Sequence, residues 1–401
     1  MTSRERVRAA LRRQPVDRIP IDFGGTRCTG ISAIAYDRSL KYLGRKEDIY
    51  VYDTMQLLAD PSVEMVNRMG GDFLQIHWRC PAWGVPIDKY KPSELPDGTP
   101  CLVPEKFAPV ENEKGDSEVV LGGKVYGRRT KGGLYYDVVA KPYEHVETIE
   151  DVDALHFGLF SDTDIDFMVE NAKRLYETTD KALILEFGGN FFENSQINFG
   201  PEKFFTDLIL EKEMLHHFFD RMCDMYIAEL KRIMPRLHQY VEVIRMGEDL
   251  GTQVSSQISR EMYVEMIKPY HKRLYSFIHE EYPDVKIFLH SCGAIYDLIP
   301  ELIDAGVDIL NPVQISARGM DPQKLKDEFG DKLIFWGGGA DMQQTVPKGS
   351  VEDIKKEVKS LVDIFAKDGG FVFNQVHNIQ ADVPPEKVLA IFDTAQEAGR
   401  R

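Results

Sequence analysis

A histidine and a cysteine stand two residues apart directly after an apolar run of the sequence. They are His290 and Cys292, and the run before them is Val285-Lys-Ile-Phe-Leu289. On an extended chain, residues two apart point to the same side. Imidazole nitrogen and thiolate sulfur together suit zinc. A buried cysteine beside a capping histidine is the alternative explanation for the same pair.

His377 is a candidate third ligand from a distant part of the chain. It follows another run of strand character, Gly370-Phe-Val-Phe-Asn374. Two or three protein ligands with an open position are typical of a catalytic zinc ion. We therefore expect His377 to lie beside His290 and Cys292. The alternative is a loop histidine that hydrogen-bonds the backbone or caps the last helix.

Two adjacent carboxylates, Glu248 and Asp249, form the densest acidic cluster at the end of a predicted strand. Carboxylates in this position can ligate a metal or act as a general acid or base. We expect both at the catalytic site. The alternative is that they cap the helix that follows.

Four further polar residues follow predicted strands and are candidates for substrate binding. The guanidinium group of Arg27 is able to bind a substrate carboxylate, and a surface salt bridge is its alternative role. The full set is Arg27, Glu186, Asn190 and Gln253.

These side chains can lie close together only in a fold that brings the ends of several strands to one place. The sequence has the pattern of such a fold. Runs rich in Val, Ile, Leu and Phe alternate with helical segments, which indicates parallel βα units. The pattern predicts an α/β protein with a (β/α)8 TIM-type barrel, and a doubly wound sheet is the alternative. In such barrels the active site lies at the carboxyl ends of the strands. We predict strands near 18–25, 70–77, 182–187, 241–246, 285–290, 307–311, 332–336 and 370–374, and one helix over 260–281.

The segment near residues 80–142 differs from the rest because it is rich in Pro, Gly and short β-like runs. Gly132-Gly133 suits a hairpin turn. We predict a β-rich insertion here, within a single barrel domain over residues 1–401.

Composition limits the classes of function. The 401 residues carry 49 Lys and Arg against 65 Asp and Glu, a formal charge of −16, which disfavours nucleic acid and anionic membranes as partners. No apolar run is long enough to span a bilayer. The five cysteines are odd in number and widely spaced, so a reducing, cytoplasmic location is expected. The sequence leaves open whether the protein is a homo-oligomer.

The chain resembles the uroporphyrinogen decarboxylase superfamily, and within it the cobamide-dependent methyltransferase branch. The resemblance is carried by Glu248-Asp-Leu-Gly, His290-Ser-Cys-Gly, His377-Asn-Ile-Gln and Val383-Pro-Pro-Glu386, and at the start by Arg4-Glu-Arg-Val-Arg-Ala-Ala-Leu and Asp17-Arg-Ile-Pro20. It implies a (β/α)8 barrel. In the methyltransferase branch it also implies a zinc ion held by His-X-Cys and a third ligand, usually Cys.

His290 and Cys292 match that motif, whereas this chain offers His377 where the branch commonly has Cys. Fewer thiolates give a more Lewis-acidic zinc, suited to an oxygen or nitrogen centre. Decarboxylases of the superfamily need no metal and carry an Arg-Gln-Ala-Gly-Arg motif, where this chain has Phe23-Gly-Gly-Thr-Arg27. Both differences favour methyl transfer.

The function implied by the resemblance is a zinc-dependent methyltransferase. It would move a methyl group between a small substrate and the cobalt of a cobamide on a partner corrinoid protein. Methoxylated aromatics, methylamines, methanol and methylthiols are the candidate substrates. The alternatives are a metal-independent decarboxylase of a small aromatic or tetrapyrrole acid, and a non-catalytic corrinoid- or metal-binding partner.

Overall fold

The computed structural model describes residues 1–400 of the chain. Its strands are β1 Val51–Asp53, β2 Leu58–Ala59, β3 Phe73–Ile76, β4 Tyr90–Glu94, β5 Pro100–Pro104, β6 Val110–Glu111, β7 Ser117–Leu121, β8 Lys124–Arg129, β9 Asp137–Val138, β10 Ala182–Gly188, β11 Val243–Gly247, β12 Lys286–His290, β13 Ile309–Asn311, β14 Ile334–Trp336 and β15 Phe371–Val372. Its α-helices are α1 Ser3–Leu11, α2 Ala33–Tyr42, α3 Val63–Arg68, α4 Ile149–Ala154, α5 Asp162–Thr178, α6 Phe192–Phe199, α7 Pro201–Leu210, α8 Lys212–Leu237, α9 Arg260–Met266, α10 Lys268–Glu281, α11 Ile299–Ala305, α12 Pro322–Phe329, α13 Thr345–Lys348, α14 Val351–Phe365 and α15 Pro385–Ala398.

Parallel strands form a curled sheet in the order β3-β10-β11-β12-β13-β14-β15. The chain around Ile21 fills the gap between the two ends of this sheet. Ile21 pairs in parallel with Phe373, and its carbonyl oxygen accepts a hydrogen bond of 2.8 Å from the backbone N–H of Asp72. This segment occupies the eighth strand position of the barrel, and it confirms the expected (β/α)8 fold.

The barrel interior is filled by apolar side chains from successive strands. Phe73 and Phe288 pack on the Trp336 ring with centroid distances of 4.4 and 5.2 Å. Val7 and Leu11 of α1 join this cluster, so α1 closes the amino-terminal end of the barrel. Dense packing here leaves the carboxyl ends of the strands as the place for a cavity.

Helix boundaries follow from local chemistry. Thr2, Ser161 and Ser350 each begin a helix with a capping box, in which hydroxyl and carboxylate satisfy exposed N–H groups. The single helix predicted over 260–281 is wrong, because the chain breaks at Ile267 between α9 and α10. Pro269 lacks an N–H and its ring clashes with the preceding turn, so it starts a new helix instead.

The expected β-rich insertion is present and lies against the barrel mouth. It contains the hairpin β4-β5 and the antiparallel sheet β6-β7-β8-β9. Gly132-Gly133 lies in the longer loop before β9, whereas Gly122-Gly123 makes the tight turn between β7 and β8 with positive φ at both positions. The Tyr135 hydroxyl donates to Gln380 Oε1 at 2.6 Å, which joins the insertion to the loop after β15.

Among residues 1–400, no helix combines the length and apolar character needed to cross a membrane.

Candidate functional site

A cavity of about 500 Å³ opens at the carboxyl ends of the barrel strands. Its volume is within the range of small-molecule sites. Six of the residues expected from the sequence line it: Arg27, Glu186, Asn190, Asp249, His290 and His377. A larger depression of about 840 Å³ lies beside Arg45 and Arg174, but none of His290, Cys292 and His377 lines it. The cavity at the strand ends is therefore the candidate active site.

The imidazole of His290 is oriented by a residue on the neighbouring strand. Asn311 donates its amide N–H to the Trp336 carbonyl at 2.8 Å, so its Oδ1 faces His290 Nδ1 at 2.6 Å. When the ring of His290 is neutral, Nδ1 therefore carries the hydrogen and the Nε2 lone pair is free. Nε2 lies 3.4 Å from Cys292 Sγ. A fixed tautomer with a free Nε2 is typical of metal-binding histidines.

His377 reaches the same place from the loop after β15. Its backbone has a φ of 65°, an uncommon value for a residue other than glycine. One ligand atom from each of His290, Cys292 and His377 lies within 4.8 Å of the others, so these residues form a group that could hold a metal ion. The convergence expected from the sequence is therefore present.

His377 differs from His290 in its hydrogen bonding. Its Nδ1 accepts a hydrogen bond of 2.8 Å from the backbone N–H of Asn378. A neutral ring in this state carries its proton on Nε2. For His377 to bind a metal ion, the ring must therefore lose its hydrogen bond from the Asn378 backbone N–H or rotate.

Burial and neighbouring charge set the protonation of this group. Burial, and then the charge of His290, lower the pKa of His377 to about 4, so its ring is neutral at physiological pH. Burial raises the pKa of the Cys292 thiol. Burial disfavours a charged His290. The negative charge of the neighbouring sulfurs, that of Cys28 and then that of Cys292, outweighs the effect of burial, so the pKa of His290 is raised. A cation must therefore displace protons from this group when it binds.

The donor set fits zinc. It supplies two imidazoles and one sulfur, the ligand types that zinc prefers, and Asn311 supplies the outer hydrogen bond to His290. The site also opens onto the cavity, which leaves room for a substrate atom.

Asp249 lies next to this group. Its Oδ1 accepts a hydrogen bond of 2.8 Å from the backbone N–H of Cys292 and is 3.7 Å from His290 Nε2. The carboxylate thus holds the Cys292 backbone in place and adds negative charge beside the imidazole.

Glu248, expected at the catalytic site, is not brought to the cavity. Its side chain is fully buried, and its two oxygens accept hydrogen bonds of 2.7–2.8 Å from the backbone N–H groups of Phe191, Phe192 and Glu193. His271 Nε2 is a further partner at 3.0 Å. The expectation of a metal ligand or acid–base group at Glu248 is therefore corrected: its carboxylate is occupied in holding the start of α6.

Gln253 also lies outside the cavity. Its side chain is exposed, donates to the Ser316 carbonyl at 2.6 Å and accepts from Gln314 Nε2 at 2.8 Å. It connects two loops, and its expected place beside the substrate is corrected accordingly.

The two arginines of the cavity wall are both paired with carboxylates. Arg27 forms an ion pair with the buried Asp53, and Arg245 Nη1 lies 2.8 Å from Glu186 Oε1. Arg245 also donates to Cys28 Sγ at 2.7 Å. Within residues 1–400, Arg245 Nε and Glu186 Oε2 are buried without a hydrogen-bond partner. The wall thus has little uncompensated positive charge but retains unused polar atoms.

Glu193 and Arg245 are cavity residues that the sequence reasoning missed. Arg245 stands inside an apolar strand pattern, and Glu193 follows a glycine-containing loop after β10. Burial, and then the charges of Asp249 and Glu248, raise the pKa of the Glu193 carboxyl. A strand-interior Arg among apolar residues was the available signal for Arg245. Glu193 offered none beyond its place in the first turn of a helix after a strand.

A parallel barrel with polar side chains converging at its carboxyl-terminal mouth defines a TIM-barrel enzyme site. The family model for uroporphyrinogen decarboxylase (URO-D) matches residues 135–398, and the chain belongs to this family of enzymes. The uroporphyrinogen decarboxylase of Geobacter sp. (strain M21) is 25% identical over 275 residues, which cover 66% of this chain and 74% of that protein. That of Chloroherpeton thalassium is 26% identical over 146 residues, or 36% of this chain and 39% of that protein.

Among solved structures, a methyltransferase from Methanosarcina mazei has the same fold. The two superimpose with a TM-score of 0.57 over 99% of each chain, at 16% sequence identity.

Proposed function

We propose that this protein is a zinc-dependent methyltransferase that moves a methyl group between a small methylated substrate and the cobalt of a partner corrinoid protein. One observation carries the proposal: His290, Cys292 and His377 offer ligand atoms within 4.8 Å of one another at the mouth of the barrel. The fold shared with a methyltransferase from Methanosarcina mazei is consistent with it. On this proposal, the chain belongs in the methyltransferase branch of its superfamily.

His290, Cys292 and His377 would hold the zinc ion, which supplies Lewis acidity toward a substrate heteroatom. Asp249 keeps the Cys292 backbone in position. Arg27, Glu186 and Asn190 line the space for the substrate. The corrinoid partner would dock over the barrel mouth, because the methyl group must pass between two closely placed atoms.

The cavity wall favours methoxylated aromatics among the candidate substrates. Trp78, Phe187, Leu159 and Met55 supply an aromatic and apolar surface. A planar ring packs well against such side chains. Methylamines, methanol and methylthiols would leave most of this surface without a partner.

The family's name favours a second candidate, decarboxylation without metal. A tetrapyrrole with many carboxylates needs unpaired cations, whereas Arg27 and Arg245 are each already paired with a carboxylate. Glu186, Glu193 and Asp249 add further carboxylates to the same wall. This charge distribution disfavours a polyanionic substrate. The proposal also includes a cytoplasmic location, a single domain, and no nucleic-acid or membrane partner.

Elemental analysis of the purified protein, followed by methylation of free cob(I)alamin, tests the proposal. We expect bound zinc and spectroscopic formation of methylcobalamin with at least one methoxylated aromatic. Cys292→Ala should lose both, and exposed Glu213→Gln serves as the control. A zinc-loaded wild-type protein that methylates no cob(I)alamin, or a metal-free protein that decarboxylates uroporphyrinogen, would contradict the proposal.

A further inference from the structure

The Glu193 carboxyl group lies on the wall of the same cavity as the zinc-binding group. It stands in the first turn of α6, and its backbone N–H is held by Glu248 Oε1 at 2.7 Å. Within residues 1–400, the only hydrogen bond to its carboxyl group comes from Asn190 Nδ2 to Oε2, at 2.8 Å. Oε1 is therefore available to a molecule in the cavity. The Asn190 amide thus holds the Glu193 side chain in place through one carboxyl oxygen, and the other oxygen accepts no hydrogen bond from the described residues.

Burial, and then the charges of neighbouring carboxylates, favour the protonated form of Glu193. Asp249 and Glu248, which follow β11, are negative neighbours, whereas Arg245 of β11 and His290 of β12 are positive ones. Burial and the two carboxylates outweigh the cations and raise the pKa of Glu193. A carboxyl group with a raised pKa inside a cavity is suited to donate a proton.

We propose that Glu193 is the general acid that protonates the oxygen released when a methyl ether gives up its methyl group at this site. This inference rests on the proposed methyl-transfer function and names its substrate class as ethers of phenols. Glu193 is a catalytic residue in this scheme because its proton goes directly to the reacting oxygen.

The step balances in atoms and electrons. The carbon–oxygen bond of the ether breaks, and its electron pair stays on the oxygen. The electron pair for the new carbon–cobalt bond comes from the Co(I) centre of the corrinoid partner, which is formally oxidised to Co(III). The oxygen takes the Glu193 proton to give a phenol, and the carboxylate regains a proton from water through the open mouth of the cavity.

A general acid accelerates most the donors whose leaving groups are poor. Positioned acids contribute on the order of 10²–10⁴-fold. Donors that release a strongly acidic phenol need little protonation, whereas donors that release a weakly acidic phenol need it most. The role of Glu193 thus predicts a dependence on the leaving group that a purely structural role would not produce.

The experiment compares wild type, Glu193→Gln and Glu193→Asp with a series of ring-substituted methoxybenzenes and cob(I)alamin. Gln keeps the size of the side chain and an oxygen for Asn190, but carries no acidic proton. Exposed Glu202→Gln on α7 is the matched control. Zinc content and thermal unfolding are measured for every variant, so that loss of fold or metal is recognised.

We expect Glu193→Gln to slow donors with poor leaving groups by on the order of 100-fold or more. Nitro-substituted donors should be slowed only a few-fold, and Glu193→Asp should recover part of the lost rate. Equal slowing of all donors, or no slowing, would overturn the role of Glu193 while leaving methyl transfer intact. A wild-type protein inactive toward every donor would instead overturn the methyl-transfer function.

Infrared spectroscopy gives a readout that is independent of activity. At neutral pH, wild type minus Glu193→Gln should show the carbonyl stretch of a protonated carboxylic acid, in metal-free and zinc-loaded protein alike. Absence of this band means that Glu193 is ionised before it meets substrate, and the inference is then wrong.

Discussion

Asn311 Oδ1 lies 2.6 Å from His290 Nδ1 and holds the imidazole with Nε2 directed toward Cys292 Sγ. The hydrogen bond from Asn311 to the Trp336 carbonyl fixes which end of the amide faces the ring. Adjacent positions on β12 and β13 therefore prepare one nitrogen to bind a cation.

Replacing Asn311 with Leu should lower zinc affinity by about 10- to 100-fold, the usual effect of losing an outer partner of a metal ligand. The ring of His290 would then be free to take the wrong tautomer. Competition with a chromogenic chelator measures the affinity. Asn198→Leu is a suitable control, because Asn198 donates to the Asn194 carbonyl and is not one of the three candidate metal ligands. Equal zinc affinity in wild type and Asn311→Leu would show that Asn311 does not orient the ligand.

Replacing Glu248 with Gln should destabilise the fold without removing zinc. The new amide group would face N–H donors where the carboxylate now accepts, including the Phe191 backbone. Hydrogen bonds to charged groups contribute about 1.5–3 kcal/mol each, so we expect a loss of about 2–4 kcal/mol in the free energy of unfolding. Urea unfolding measures it, with exposed Glu213→Gln expected to stay within about 0.5 kcal/mol of wild type. Loss of zinc from a folded Glu248→Gln protein would return Glu248 to the metal site.

The error about Glu248 has a physical origin in strand geometry. Glu248 and Asp249 are neighbours in the sequence, and successive side chains of an extended chain point to opposite sides. One of the two can face the cavity, and the other then faces the surrounding helices. In the sequence the two carboxylates form one cluster, whereas in the structure they point to different sides of the chain.

The barrel and the meeting of His290, Cys292 and His377 were predictable, because their signals are local or follow from barrel closure. The strand before His290 is a clear apolar run, and His377 follows a late strand that barrel closure brings near it. Glu193 and the Arg245–Glu186 pair were not predicted, since their positions depend on how loops and neighbouring strands pack. Gln253 was misplaced for the same reason: a loop residue has no fixed direction in the sequence.

The stability of the protein should depend on pH through Asp22. This side chain is fully buried, accepts from Trp336 Nε1 at 2.8 Å and from the Gly25 N–H at 2.7 Å, and burial raises its pKa from 3.8 to about 6. Because the pKa of Asp22 is higher in the folded state than in the unfolded state, the folded state keeps the proton to higher pH. The stability contributed by the protonated form is complete below pH 4 and is lost as pH rises through 6.

The expected loss is about 3 kcal/mol, from roughly 1.4 kcal/mol per pKa unit. Asp22→Asn does not titrate, so its free energy of unfolding relative to wild type should rise between pH 4 and pH 7. Urea unfolding across this range measures the difference. A difference that stays constant with pH would show that Asp22 keeps an ordinary pKa in the folded protein.

Replacing His377 with Cys should strengthen zinc binding and narrow the range of methyl donors. A thiol at this position does not depend on the hydrogen bond that the Asn378 amide now makes with the imidazole. A second thiolate also adds negative charge to the ion and weakens it as a Lewis acid. We therefore expect tighter zinc binding, slower transfer from ethers and relatively better transfer to or from thiols.

His377→Ala separates the effect of the new thiolate from loss of the imidazole. It should bind zinc more weakly than wild type and lose activity with all donors. Zinc titration and donor competition with cob(I)alamin give both quantities. If His377→Cys keeps the wild-type donor preference, the imidazole at this position does not tune the Lewis acidity of the site, and the substrate choice must come from the cavity wall instead.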